Sequence, residues 1–137
     1  MQLVSLVGDL GPKWFHVALR ALTLLAQSET MLSSSHISDK LNTECTYLRK
    51  ILVRLAKNGI LTTHAGRYGG YELRKSAAEI FVGDVYRSLA DSVTTPYYSV
   101  AATGAEQFIS LIVSKAEKEF QATLDQFTIA DLVTNLH

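Results

Sequence analysis

At 137 residues and 47% hydrophobic content, the chain can bury one substantial core and is short for two independent ones. Its thirteen basic and thirteen acidic side chains cancel, so overall charge identifies no partner, while a single cysteine excludes an intramolecular disulfide framework and suits a reducing compartment. No apolar run approaches the roughly 20 residues a membrane-spanning helix needs. The opening MQLVSLVGDLGP lacks the basic start of a secretory signal. A soluble, cytoplasmic protein with no membrane partner is therefore expected. Charge is unevenly spread: residues 1–75 carry ten Lys or Arg against five Asp or Glu, and residues 76–137 carry three against eight. An anionic partner would meet the first part.

In chain order, KWFHVALRALTLLAQ (13–27) is apolar almost all round and predicts a buried helix. SSSHISDKLN follows, with Ser33 to Ser35 as N-cap candidates and Ile37 and Leu41 four apart, giving a short second helix. After NTEC, the stretch TYLRKILVRLAKNG places Leu48, Ile51, Leu52 and Leu55 on one face, with Asn58-Gly59 as the stop. ILTTHA and YELRK, joined by GRYGG, predict a β-hairpin with a loop of several residues. A fourth helix is predicted over VGDVYRSLAD, a turn-rich linker over residues 92–104, and a long helix from about Ala105 to Leu124. The long helix has a wide apolar stripe through Phe108, Ile109, Ile112, Val113, Ala116 and Phe120, with Leu111 off it, so more than one face is expected to be covered. Thr128 and Asp131 stand at capping-box spacing before a last short helix.

Helix, short helix, tight turn, amphipathic helix and hairpin form the element order of a winged helix-turn-helix. The fold class expected is mainly α with a small β-hairpin. Residues 1–91 are expected to form the winged helix-turn-helix DNA-binding domain, 92–104 the linker, and 105–137 a long helix and a C-terminal helix. With its four leucine and isoleucine positions buried, the third helix should turn Thr46, Tyr47, Arg49, Lys50, Arg54 and Lys57 outward, with Tyr47, Lys50, Arg54 and Lys57 in one line. Thr46, Tyr47, Arg49 and Lys50 are assigned to base edges, and Arg54 and Lys57 to phosphates. Taken alone, four cations on a helix equally describe a solvated face. The turn before it and the hairpin after it favour DNA.

ALRALTLLA, ISDKLNTECTYLRKILVRLAKNGIL and GGYELRKSAAEIFVGDVYRSL resemble, in order and spacing, the Rrf-two family of bacterial transcription regulators. The likeness covers roughly residues 13–91, and TIADLV matches the family's closing segment. It implies a homodimer built through the long helix and bound to double-stranded DNA at a near-palindromic operator, with repression as the expected outcome. The third helix would enter the major groove and the wing the minor groove. Phe108, Ile109, Ile112 and Ala116 are the expected dimer seam.

Many members hold an iron-sulfur cluster through three cysteines between the fourth helix and the long helix. Here that region, DSVTTPYYSVAATGAEQF, has no cysteine, so no cofactor and no metal ligand are predicted. Cys45, just before the recognition helix, is either a thiol switch or a small packing residue in a turn. The four histidines have no metal-ligand spacing. A small-molecule effector is left open, with Tyr97, Tyr98 and Phe108 as pocket candidates against the alternative of an ordinary turn packed by tyrosines. No catalytic motif is present, so an enzyme is not expected. A protein-interaction or scaffold module without an operator is the remaining alternative.

In the wing, the family's leading arginine is replaced by Ala65, and Arg67 stands where proline is usual. Gly66, Gly69 and Gly70 permit a tight turn and close backbone approach. Arg67 is the expected minor-groove side chain, with Gly69 and Gly70 beside it.

Overall fold

The structure is a computed structural model in which residues 13–90 and 104–135 are described. Among the described residues, nine elements enclose one core. In order they are α1 (Trp14–Gln27), α2 (Ser34–Leu41), α3 (Cys45–Lys57), β1 (Leu61–His64), β2 (Gly70–Leu73), a 3-10 turn (Ala77–Glu79), α4 (Val82–Leu89), α5 (Glu106–Leu124) and α6 (Ile129–Thr134). The element order and the mainly helical class with one hairpin are those expected.

Local chemistry explains where the helices start and stop. Ser33 is the N-cap of α2, its hydroxyl accepting from the His36 N–H at 3.1 Å. Asn42, in the left-handed region at φ 53°, ends α2 and reverses the chain toward α3. Gly59, at φ 81°, does the same after α3. Thr128 and Asp131 bond reciprocally at 2.9 and 3.2 Å, so an aspartate completes the box that starts α6.

The core is built around α1. Trp14, Val17, Ala18, Ala21, Leu22 and Leu25 are buried, which is why this helix is apolar nearly all round. Leu48, Ile51, Leu52 and Leu55 of α3 are fully buried against it, with Ile37 of α2 and Val85, Tyr86 and Leu89 of α4. Trp14, Phe15, Tyr86 and Phe120 join into an aromatic cluster with ring centroids 5.1 to 5.8 Å apart, so the start of α1 meets α4 and the later part of α5.

β1 and β2 pair antiparallel from Leu61↔Leu73 to His64↔Gly70. Leu32 adds a bridge to Tyr71, with N–H···O bonds of 2.8 and 3.0 Å, which the sequence pattern did not announce. It ties the wing to the segment between α1 and α2.

The chain end also returns to this core. Ile129 is fully buried, its N–H donates to the Ile80 carbonyl at 2.9 Å, and the Val82 N–H donates to the Phe127 carbonyl at 2.9 Å. α6 thereby packs on α1. Between α4 and α5 stands an arginine clasp. The Arg87 guanidinium donates to both Asp125 oxygens at 2.8 and 3.3 Å, to Asp84 Oδ1 at 3.1 Å and to Gln121 Oε1 at 3.0 Å. The hydrogen bond to Asp125 holds the guanidinium pKa up, against partial burial that lowers it. Gly83 makes room for the clasp, because a Cβ there would overlap the Asp125 carboxylate.

α5 differs from the other long helices in burying no residue. Phe120 and Leu124 are half-buried against the core, and Ala116 is half-buried. Phe108, Ile109, Leu111, Ile112 and Val113 are exposed at 66, 48, 67, 53 and 37%. Coverage of more than one face, expected from the width of the stripe, does not occur within the described part of a single chain.

Candidate nucleic-acid interface

The N-terminus of α3 is set by a residue that sequence reasoning did not single out. The Glu44 carboxylate accepts from the Tyr47 N–H at 2.8 Å and the Thr46 N–H at 3.1 Å. These two bonds, Tyr47 first, hold its carboxyl below the ordinary value of 4.5. The cap is therefore complete above the ordinary glutamate range and is lost as pH falls through the lower folded value. Amide shifts of Thr46 and Tyr47 followed from pH 6 to pH 2 should show a single transition displaced below 4.5, absent in Glu44→Gln. A transition at the ordinary value would mean that the cap does not form. One consequence concerns DNA directly. A phosphate cannot take the Thr46 and Tyr47 N–H groups while Glu44 holds them.

Helix geometry places the six predicted α3 residues on two different surfaces. Thr46, Arg49, Lys50 and Lys57 are exposed, as expected, and Val53, 45% exposed, lies among them. Tyr47 and Arg54 depart from the expected outward row. Tyr47 is half-buried against the core, its hydroxyl buried without a hydrogen-bond partner, and burial raises its pKa. Arg54 is half-buried, and its Nη1 donates to the Leu89 carbonyl at 3.0 Å. Asn58 joins it, its Nδ2 donating to the Arg54 and Ser88 carbonyls at 2.8 and 3.4 Å. The reason is that the flanks of a four-residue apolar stripe are not free. Here one flank is occupied by the C-terminal turn of α4, whose Leu89 and Ser88 carbonyls Arg54 and Asn58 engage.

Arg49 is held from the side. Its Nε donates to the hydroxyl of Ser34, the first residue of α2, at 3.3 Å. Cys45, half-buried at the head of α3, has its sulfur 3.9 Å from the same hydroxyl.

The wing turn closes with a Gly69 N–H to Gly66 carbonyl bond of 3.1 Å, and Gly66 takes φ 103°. Added Cβ atoms would overlap the His64 carbonyl oxygen at Gly69 and crowd the Leu32 carbonyl at Gly70, so both glycines are required by the chain's own packing. Arg67 sits at the exposed tip with its guanidinium carbon 5.6 Å from the centre of the Tyr68 ring. Tyr68 is 82% exposed, and sequence reasoning missed it. At the base, His64 Nε2 meets Glu72 Oε2 across the strands. Tyr97 and Tyr98, the pocket candidates, lie outside the described residues, and Phe108 is exposed.

Helix face and wing thus both expose cations, Arg49, Lys50 and Lys57 on α3 and Arg67 at the wing tip. A family model described as Rrf2, iron-dependent transcriptional regulator, matches residues 13–135. An HTH-type transcriptional regulator of Synechocystis sp. is 30% identical over 121 residues, covering 85% of this chain and 82% of that protein. Among solved structures, T. potens IscR superposes with a TM-score of 0.70 at 25% identity, over 91% of this chain and 86% of its own. CymR of B. subtilis, described as the global cysteine regulator, gives 0.66 at 25% identity, over 93% and 98%.

The iron in the family's description does not fit the donors present. The sequence holds one cysteine, and no three His, Cys, Asp or Glu side chains gather into a metal site among the described residues. Among the described residues, no helix is long and apolar enough to cross a membrane. By sequence and by fold, the chain belongs to the Rrf2 family of DNA-binding transcriptional regulators, and not to the enzymes.

Proposed function

We propose that the protein is a homodimeric, sequence-specific repressor that reads a near-palindromic operator with α3 in the major groove and the wing tip in the minor groove. The carrying observation is the pairing of an exposed, cation-rich α3 face with an α5 whose apolar side chains are left uncovered. The first supplies contacts for one half-site, and the second a self-complementary seam for a second copy. In this reading residues up to 91 are the reading head, 92–104 the connection, and 105–137 the dimerisation part, with α6 anchored back on the head. Phe108, Ile109 and Ile112 carry the seam, and Ala116 lies at its inner edge.

Thr46, Arg49 and Lys50 face the bases, Lys57 meets phosphate, and Arg67 enters the minor groove. Tyr47 and Arg54 reach DNA only from the flank of α3, and Gly69 and Gly70 let the wing backbone approach it. Cys45 remains a candidate thiol switch through its neighbourhood with Ser34 and Arg49. The absence of a fitting iron donor set favours an organic effector or none.

Salt provides the test. Affinity of the purified protein for duplex DNA should fall steeply with ionic strength, and Lys57→Ala in both subunits should flatten the log–log slope by about one unit per lost phosphate contact. Binding that is flat in salt, or absent, would leave the winged helix as a protein-interaction module.

A further inference from the structure

Among the exposed residues of α3, Arg49 and Val53 have properties a merely solvated helix face does not require. Arg49 is an exposed cation of α3 that is anchored through its side chain, by the Nε to Ser34 hydroxyl bond. That bond leaves the outer Nη edge of the guanidinium as a planar two-donor fork with fewer rotamers to lose. Val53 is the only large hydrophobic side chain exposed on α3 among the described residues, at 45%. It is a β-branched residue on a face where the helix itself gains nothing from it. The two are four residues apart, so they share one ridge and are separated by about 6 Å of helix rise, close to two base-pair steps. Glu44 adds a third constraint. By occupying the Thr46 and Tyr47 N–H groups with a carboxylate, it repels phosphate from the helix head and moves the reading surface toward mid-helix.

We propose that Arg49, oriented by Ser34, and Val53 are the specificity-determining pair: Arg49 reads the O6 and N7 acceptors of a guanine, and Val53 packs on the C5-methyl of a thymine about two steps away. Ser34 is the positioning residue. The inference rests on the DNA-reading role proposed above and gives it a base-level content. In the major groove a guanidinium fork matches guanine, and an apolar branched side chain matches the thymine methyl, the one apolar group that base edges present there.

The test uses duplexes selected by the full-length protein from a random-sequence pool, then resynthesised with 7-deazaguanine for guanine or uracil for thymine. Wild type should lose about tenfold in affinity on the first, the lower part of the range for a bidentate pair. On the second it should lose about fourfold, the value of one buried methyl-sized group. Val53→Ala should bind thymine and uracil duplexes equally while keeping the 7-deazaguanine loss. Ser34→Ala should shrink the 7-deazaguanine loss without changing the salt slope, and Ser34→Thr, which keeps the hydroxyl, should restore it. A uracil penalty unchanged in Val53→Ala, or a 7-deazaguanine penalty unchanged in Ser34→Ala, overturns the assignment. Failure to enrich any duplex would instead overturn sequence-specific reading itself.

Discussion

Aspartate at both Ile109 and Ile112 should yield a folded monomer whose affinity for a selected duplex is at least about a hundredfold below that of the parent protein. The fold should survive because neither side chain belongs to the domain core. Both are about half exposed, and α5 buries no residue against its own chain. The proposed seam should not survive, because an exposed apolar patch of this extent marks a contact surface, and buried unpaired carboxylates there cost several kcal/mol. Affinity follows from geometry. In a dimer the second half-site is engaged at an effective concentration in the millimolar range, which typically raises avidity by about 10² to 10⁴. Sedimentation, thermal melting and DNA titration of the same sample separate the outcomes. A dimer of unchanged stability would place the seam elsewhere, and an unfolded chain would show that α5 supports the core more than its exposure indicates.

Gly69→Ala should collapse the wing. An added methyl would lie on the His64 carbonyl oxygen, which is backbone and cannot swing aside, so the turn must open or β1 and β2 must shift register. We expect about 2 kcal/mol of destabilisation and a loss of binding greatest on operators with A/T-rich flanks, where the minor groove is narrow and its potential most negative. Arg67→Ala is the informative companion. It should reproduce the flank-selective loss with an unchanged melting temperature, since the Arg67 side chain is exposed at the tip, over the ring of the exposed Tyr68. Equal loss on all flanks would reduce Arg67 to a phosphate contact, and a Gly69→Ala protein with normal melting and binding would show that the turn is not built as described.

Much of this was legible in the sequence because it depends on local chemistry. The spacing of Leu48, Ile51, Leu52 and Leu55 fixes which face of α3 is buried, and all four are at 0% exposure. The Thr128 and Asp131 pair announced α6, and the glycine-rich loop announced the hairpin. What escaped depends on neighbours distant in sequence. Tyr47 and Arg54 border the buried stripe, and only the position of α4, more than thirty residues on, decides that Arg54 braces its last turn. Leu32 pairs with Tyr71 across nearly forty residues, which no periodicity encodes. Glu44 escapes the N-cap pattern because glutamate is not one of its usual residues, although its carboxylate reaches the same free N–H groups.

The clasp of Arg87 on Asp125 has a mechanical meaning. α5 has 19 residues and so is about 28 Å long. Its far end is pinned to α4 by the clasp, and its successor α6 is pinned to α1. In the homodimer proposed above, a rod fixed at one end to the first helices and joined at the other to a twin would act as a lever. A tilt of a few degrees at the pinned end would be multiplied along its length into a change in the separation of the two third helices. The fulcrum of that lever would be Arg87, Asp84, Asp125 and the hydrogen-sized gap that Gly83 leaves for them.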